Sequence, residues 1–353
     1  MTRRNFSLAM TALTGGGLSA APIEDASEGC ITDVQGIRVG HFTDKRRPTG
    51  CTVLIFDKGA TAGVDVRGSA PGTRETDLLN PVNTVQQVNA ILLSGGSAYG
   101  LDAAAGVMKY LEEKGLGYKM GSMIVPIVPA AILFDLGVGD WKIRPNAESG
   151  YQACVAASSG KVEEGNVGAG AGATIGKMFG PKSAMKSGLG TASIRVGNTG
   201  IVVGAIVAVN AVGDVIDPRT GKIVAGARNP AGSGFMDSIA KLREGYRAEL
   251  PPARNTTIGV VATNVAFDKA QVTKVAQMAH DGLARCINPE HTPGDGDTLF
   301  AVATGAIGVK ANHGSIGALA AEAMAEAVIR AVKKAKGIPG YPSYTDLPQL
   351  WGR

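Results

Sequence analysis

The stretch TASIRVGNTGIVVGAIVAVNAVGDVIDPRTGKIVAG, residues 191–226, constrains the fold of this chain more than any other. Its apolar runs are broken by Gly197-Asn198-Thr199-Gly200 and by Asp217-Pro218-Arg219-Thr220-Gly221. Glycine and asparagine accept left-handed backbone and proline presets a turn, so both breaks predict hairpins between antiparallel neighbours. Strands joined so tightly do not fit a doubly wound sheet, in which a crossover helix separates parallel neighbours.

The rest of the chain groups its elements in the same way. Residues 31–42, 51–56 and 61–68 read as strands between turn residues. NAILLSGG (89–96) reads as a strand, followed by a helix that Gly115 ends, and AESGYQACVAASSG as a second, shorter helix. FMDSIAKLREGY predicts a helix before a polar loop at 246–255, and TTIGVVATN a strand after it. Asp268 is the expected N-cap of a helix carrying Val272, Val275, Ala276, Ala279 and Leu283 on one face. DTLFAVATG is a further strand, and ALAAEAMAEAVIRAVKKAKG a long helix with a small apolar face suited to close packing on a sheet or a neighbour. The pattern is α+β with mixed sheets, and no domain linker is visible.

With 353 residues, 44% hydrophobic and 18% charged, the chain can bury a large core. Its 50 glycines, about twice the usual share, imply tight turns and close backbone approaches. The formal charge of +5 is not clustered. Lys45-Arg46-Arg47 reads as a solvated loop and Lys333-Lys334 as a last helical turn, so no basic stripe points to nucleic acid. Cys30, Cys51, Cys154 and Cys286, like the four histidines, lack metal-ligand spacing, so neither metal nor cofactor is expected. No apolar run reaches the length of a membrane span. At the N-terminus, Arg3-Arg4, Phe6 and the mildly apolar segment Leu8 to Leu18 precede small residues at Ser19 and Ala21. Residues 1–21 therefore read as a twin-arginine-like export signal, which would take the protein to the periplasm; without it the protein would be cytoplasmic.

Three motifs invite chemistry. LLSGGSAYG (92–100) lies where a nucleophile elbow would, but Tyr99 replaces the required glycine, and a tight strand-to-helix turn at Ser97 is the simpler reading. GNVGAGAGATIGKM (165–178) misses a Walker A loop at Ala171 and Met178; its glycines are expected to let backbone approach a substrate, with Lys177 delivered at the end. HTPGDGDT (291–298) sets Asp295 and Asp297 around a glycine, as local caps, as a divalent-metal site that lacks further nearby carboxylates, or as a carboxylate pair beside a nucleophile. A fourth feature is Asn255-Thr256. Cutting that bond would give Thr256 a free α-amino group with a pKa of about 7.7–8.0, a suitable base for its own hydroxyl.

NTTIGVVATN, AHDGLARCINPEHTPGDGDTLFAVATG, SGGSAYGLDAAAGV and VGAGAGATIGK together resemble the self-processing peptidase family of L-aminopeptidase/D-esterases, β-peptidyl aminopeptidases and nylon-oligomer endo-hydrolases. The resemblance runs from about Ile31 to the last helix. It implies a four-layer αββα sandwich of N-terminal-nucleophile type with its own connectivity. It implies cleavage into an α fragment, 22–255, and a β fragment, 256–353, that stay associated, commonly as tetramers of αβ units. Thr256 would be the nucleophile, Lys177 a residue near the active centre, Asn210 an oxyanion stabiliser, and Asp295 and Asp297 the paired aspartates of the nylon-hydrolysing branch. Phe134 stands where that branch has tyrosine, which puts that residue's hydrogen bond in doubt; Phe134, Ser97 and Tyr99 are the candidate substrate-lining residues. The expected function is a cofactor-free amide hydrolase acting on short peptides with a free amino end or on linear 6-aminohexanoate oligomers. The alternatives are an aminopeptidase without polyamide activity, a serine hydrolase using Ser97, and a non-catalytic protein binding an anion on the glycine-rich loop.

Overall fold

The computed structural model describes residues 29–247 and 255–350. The expected signal segment, residues 1–21, and most of the loop ahead of Thr256 lie outside them.

Nine strands build two sheets: β1 (Arg38–Thr43), β2 (Gly50–Val66), β3 (Thr73–Arg74), β4 (Val88–Ser94), β5 (Ala130–Ile132), β6 (Leu189–Arg195), β7 (Val202–Ala208), β8 (Ile258–Thr263) and β9 (Thr298–Ala303). The neighbour order is β6-β7-β8-β9-β2-β4-β5-β3, with β1 also on β2. Strand β2 belongs to both sheets. Its first half, Cys51–Ile55, pairs with β4, and its second half, Thr61–Val66, pairs with β9, with a shift of register between. Sequence reading splits this strand in two because Asp57-Lys58-Gly59 looks like a turn; instead the polar triplet lies where one continuous strand passes between sheets. The hairpins expected at 197–200 and 217–221 are present, the first joining β6 to β7 and the second joining Asp214–Asp217 to Lys222–Ala225. Ile31–Asp33 is a short 3-10 turn rather than the start of a strand.

Four helices cover the sheets: α1 (Ala103–Glu113), α2 (Ala147–Val155), α3 (Lys269–Cys286) and α4 (His313–Lys334). Asp268 caps α3 by accepting from Gln271 N at 2.8 Å. Alternation along the strands sends side chains to opposite faces, and three cores result. Val203, Ala205 and Val207 of β7 meet α3 and α4; Val202, Ile206 and Ala208 of the same strand meet Leu54, Ile91 and Leu93 of the opposing sheet; Val53, Ile55 and Leu92 meet α1 and α2. Three cores between four layers make an αββα sandwich.

Small residues set the spacing of these layers. A Cβ on Gly282 of α3 would stand 2.3 Å from the Ala321 carbonyl of α4, and one on Gly190 of β6 would stand 2.0 Å from that of Ala327. The alanine-rich face of α4 is thus consumed inside the chain, on β6, β7 and α3, and does not offer itself to another subunit. No described helix is long and apolar enough to cross a membrane. All four cysteines are buried and unpaired.

Candidate active site

The three central strands place the site. In the antiparallel pair β7–β8, Ala208 faces Ile258; in the parallel pair β8–β9, Ile258 faces Thr298. Continued two residues beyond the strand ends, these registers put Thr256 between Asn210 and Gly296. The backbone bonds agree: Thr256 N donates to Asn210 O at 3.0 Å and Gly296 N to Asn255 O at 3.0 Å. Parallel pairing brings the leading ends of β8 and β9 together, which is why an Asn-Thr pair and a DGD motif about forty positions apart in sequence meet in space.

Asn255, Thr256 and Thr257 are buried. The Asn255 carbonyl accepts from two donors, the Gly296 N–H and the Thr256 hydroxyl, the latter at 2.5 Å. Gly296 has no room for a side chain, since a Cβ there would stand 2.8 Å from Thr256 Oγ1 and 2.6 Å from the Ala70 carbonyl. The arrangement sets a hydroxyl beside a peptide carbonyl that is already polarised by a fixed N–H, a geometry suited to acyl transfer.

Carboxyl groups crowd one side. Asp297 accepts from Thr257 N at 2.7 Å through Oδ1; its Oδ2 accepts from His291 N at 3.2 Å and lies 2.9 Å from His291 Nδ1. Asp295 accepts from Thr292 N at 2.6 Å through Oδ2, while its buried Oδ1 has no partner. Both aspartates therefore cap backbone and also lie beside the Asn255–Thr257 segment. Burial, with Asp297 nearby, pushes the Asp295 carboxyl up to about 6. Glu290, which no motif singles out, joins the same cluster. Burial and the two aspartates raise its pKa well above the usual carboxylate range. His291 packs edge-to-face on His280, with ring centroids 4.8 Å apart. Although sequence spacing suggested no metal site, Glu290, His291 and Asp297 each offer a ligand atom within 4.8 Å of the others.

Lys177 reaches the site through Asn210. Its Nζ donates to Asn210 O at 3.0 Å and to Asn210 Oδ1 at 2.9 Å. Burial lowers its pKa to about 7, against the opposing pull of Asp295 and Asp297. Lys177 thus stands near neutrality beside the oxygen that also receives the Thr256 N–H. Asn210 is wholly buried; its Oδ1 further accepts from Thr174 N at 3.1 Å, and its Nδ2 donates to the Phe134 carbonyl at 3.0 Å. One Nδ2 hydrogen is committed there.

Phe134 accordingly contributes a main-chain carbonyl, and its loop is anchored from below. Asp135 pairs with Arg47 at 2.8 Å, accepts from Thr49 Oγ1 at 2.6 Å and from Gly96 N at 2.9 Å. Arg47 also donates to the carbonyls of Val138 and Ile143, at 2.6 and 2.7 Å, and to that of Asp135. The side chains of Arg47 and Asp135 are 0% exposed. The expected solvated loop at 45–47 is thus corrected: Arg46 is in water and Arg47 is in the core.

The structure corrects a second expectation. Residues 168–176 are buried, and the close backbone approach their glycines permit is to the protein itself. A Cβ on Gly170 would meet Leu189 N at 2.1 Å, and one on Gly172 the Pro48 carbonyl at 2.5 Å. That stretch shows no open cradle for substrate or anion; its service to the site is to deliver Lys177. Ser97 sits in left-handed backbone, φ 54°, with its N–H on the Leu133 carbonyl at 3.0 Å. None of its bonds is to a histidine, as an activated serine would need. Tyr99, in the same turn, is exposed.

Residues 29–345 match the description Peptidase family S58. The chain belongs to this family. It is similar to an uncharacterized aminopeptidase of Mycobacterium tuberculosis, 45% identical over 345 residues that cover 90% of this chain and 97% of the relative. The 6-aminohexanoate-oligomer endohydrolase of Kocuria sp. is 34% identical over 315 residues, 85% of each chain. Among solved structures, the L-aminopeptidase D-Ala-esterase/amidase of Ochrobactrum anthropi, described as a variant of the Ntn hydrolase fold, superposes with a TM-score of 0.66 at 19% identity, covering 91% of this chain and 92% of that one. A Burkholderia sp. β-aminopeptidase gives 0.63 at 23%, covering 87% of each. These two share the four-layer architecture. As a member of peptidase family S58, the chain is an amide-bond hydrolase with the Ntn-hydrolase-like fold expected from its sequence.

Proposed function

We propose that this S58 hydrolase activates itself by cutting Asn255–Thr256 and then uses Thr256 as an N-terminal nucleophile. The observation that carries the proposal is the buried Asn255 carbonyl, approached by the Thr256 hydroxyl at 2.5 Å and by the Gly296 N–H at 3.0 Å. Thr256 Oγ attacks the Asn255 carbonyl carbon and its proton passes to a base, for which Lys177 has a suitable pKa of about 7. The negative oxygen formed rests on the Gly296 N–H. The C–N bond breaks, the Thr256 amine leaves with a proton, and water hydrolyses the remaining ester.

In turnover the freed amine takes the Thr256 hydroxyl proton as the oxygen attacks a substrate amide, with Asn210 Nδ2 facing the developing oxyanion. The leaving amine is protonated, and water releases the acyl group from Thr256. Lys177 donates to the same Asn210 oxygen that the Thr256 nitrogen contacts, so it tends to keep that amine deprotonated. Asp295 and Asp297 suit a substrate ammonium, which favours short peptides with a free amino end or linear ω-amino-acid oligomers such as 6-aminohexanoate chains. The more similar aminopeptidase relative favours the first of these substrates and the endohydrolase relative the second.

Rates on an aminoacyl p-nitroanilide and on a linear nylon oligomer separate the two substrate readings. Turnover that survives Thr256→Ala on either would refute the nucleophile. We further propose that the αβ units assemble into a homo-oligomer, checked by light scattering, and that residues 1–21 direct export, checked by fractionating cells that express the full chain.

A further inference from the structure

Beyond the reacting groups, one cation stands ready for a ligand. Arg144 lies with its guanidinium carbon 3.7 Å from the centre of the Tyr99 ring and 5.7 Å from that of Trp141. Tyr99 and Trp141 are 56% and 50% exposed, large aromatic surfaces to leave in water. Stacking satisfies none of the guanidinium's five N–H donors, whose planar fork matches a carboxylate. Among the described residues no carboxylate pairs with Arg144, in contrast with Arg47, which Asp135 holds. The nearby acids are engaged locally: Asp140 accepts from Lys142 N at 2.9 Å, and Asp102 from Ala147 N at 3.0 Å.

The cluster is firmly mounted and linked to the site. Its loop is braced by the Arg47 bond to Ile143 O at 2.7 Å, and Pro145 lies against Gly96, where an added Cβ would be 3.0 Å away. The same loop begins at Phe134, whose carbonyl holds Asn210 Nδ2, and the Tyr99 turn is pinned to Leu133 through Ser97 N. The platform is therefore separated from Asn210 by two hydrogen-bonded steps. Asp295 and Asp297 adjoin the Asn255–Thr257 segment. A linear peptide or ω-amino-acid oligomer has an ammonium at one end and a carboxylate at the other.

We infer that Tyr99, Trp141 and Arg144 form a subsite for the free carboxylate end of a linear amide substrate. The inference rests on the proposed function for the identity of the ligand. Arg144 supplies the paired N–H donors, while the two rings fix its plane and exclude water from one face. The consequence is selectivity for free acids over capped chains.

The test uses two substrates that differ only in ending as a carboxylate or a carboxamide. The subsite gives the wild-type enzyme a kcat/KM about tenfold higher for the acid, the worth of one hydrogen bond to a charged group. In Arg144→Ala that ratio falls to about one, and Arg144→Lys, which keeps charge without the fork, lies between. Equal rates on both substrates in the wild type, or an unchanged ratio in Arg144→Ala, overturns the subsite. If the wild type turns over neither substrate, the hydrolase reading fails on its own. The same two compounds are then titrated calorimetrically into wild-type and Arg144→Ala protein. Acid-selective binding lost in the variant supports the subsite, and indifferent binding overturns it.

Discussion

Gly296→Ala tests the proposed chemistry with the smallest change available. The added methyl would lie 2.6 Å from the Ala70 carbonyl and 2.8 Å from Thr256 Oγ1. Real contacts do not persist at that range, so something moves. Ala70 is held by its N–H on the Asp295 carbonyl at 2.8 Å, so the easier responses are rotation of the Thr256 hydroxyl away from Asn255 or displacement of the Gly296 N–H from the same carbonyl. Either response removes one of the two donors on the bond to be cut. Loss of an oxyanion donor costs about 2.7–4 kcal/mol, or about 10²–10³ in rate, while overpacking costs about 1–3 kcal/mol of stability. The variant is therefore expected to fold and to process very slowly. The assay is a time course of the full-length band after synthesis, with Gly294→Ala alongside. At Gly294 an added Cβ meets nothing nearer than Thr292 Oγ1 at 3.8 Å, so that variant should process normally. Processing of Gly296→Ala at the wild-type rate, or equal damage in both variants, would refute the reasoning.

Three further outcomes are expected. Asp295, raised to about 6, is protonated below that pH and then cannot hold an ammonium, so kcat/KM should fall on the acid side of about pH 6 and that limb should vanish in Asp295→Asn; a limb unchanged in the variant would assign it elsewhere. Lys186 is fully buried among the carbonyls of Gly170, Ala173 and Ser187, and burial lowers its pKa to about 7. Between that value and the unfolded 10.5 the unfolded chain binds more protons, so stability rises with pH; thermal midpoints at about pH 7 and pH 9 should separate less in Lys186→Met than in the wild type. Asp135→Ala leaves Arg47 buried without its carboxylate, a loss of about 3–5 kcal/mol in chemical denaturation, whereas removing the exposed Arg46 should change little.

Much of the site was legible where chemistry is local in sequence. Thr256, Asp295, Asp297 and Lys177 stand in motifs and Asn210 comes only through the family resemblance; the structure brings them together at the leading end of β8. The hairpins were legible because turn residues write their backbone preferences directly. What sequence did not disclose depends on tertiary environment. Arg47 looks like its neighbours Lys45 and Arg46 until Asp135, far along the chain, takes it inside. Glu290 has the spelling of a loop acid, and only enclosure beside two aspartates raises its pKa. The sole available sign was its place inside INPEHTPGDGDT, one residue before His291. The glycine-rich run misled because close backbone approach looks the same in sequence whether the partner is a ligand or the protein's own strand.

The central claim concerns one peptide bond. Intact-mass measurement of the purified protein under denaturing conditions addresses it directly. The account expects two species, the smaller beginning at Thr256. A single uncut chain that nevertheless hydrolyses amides would contradict it.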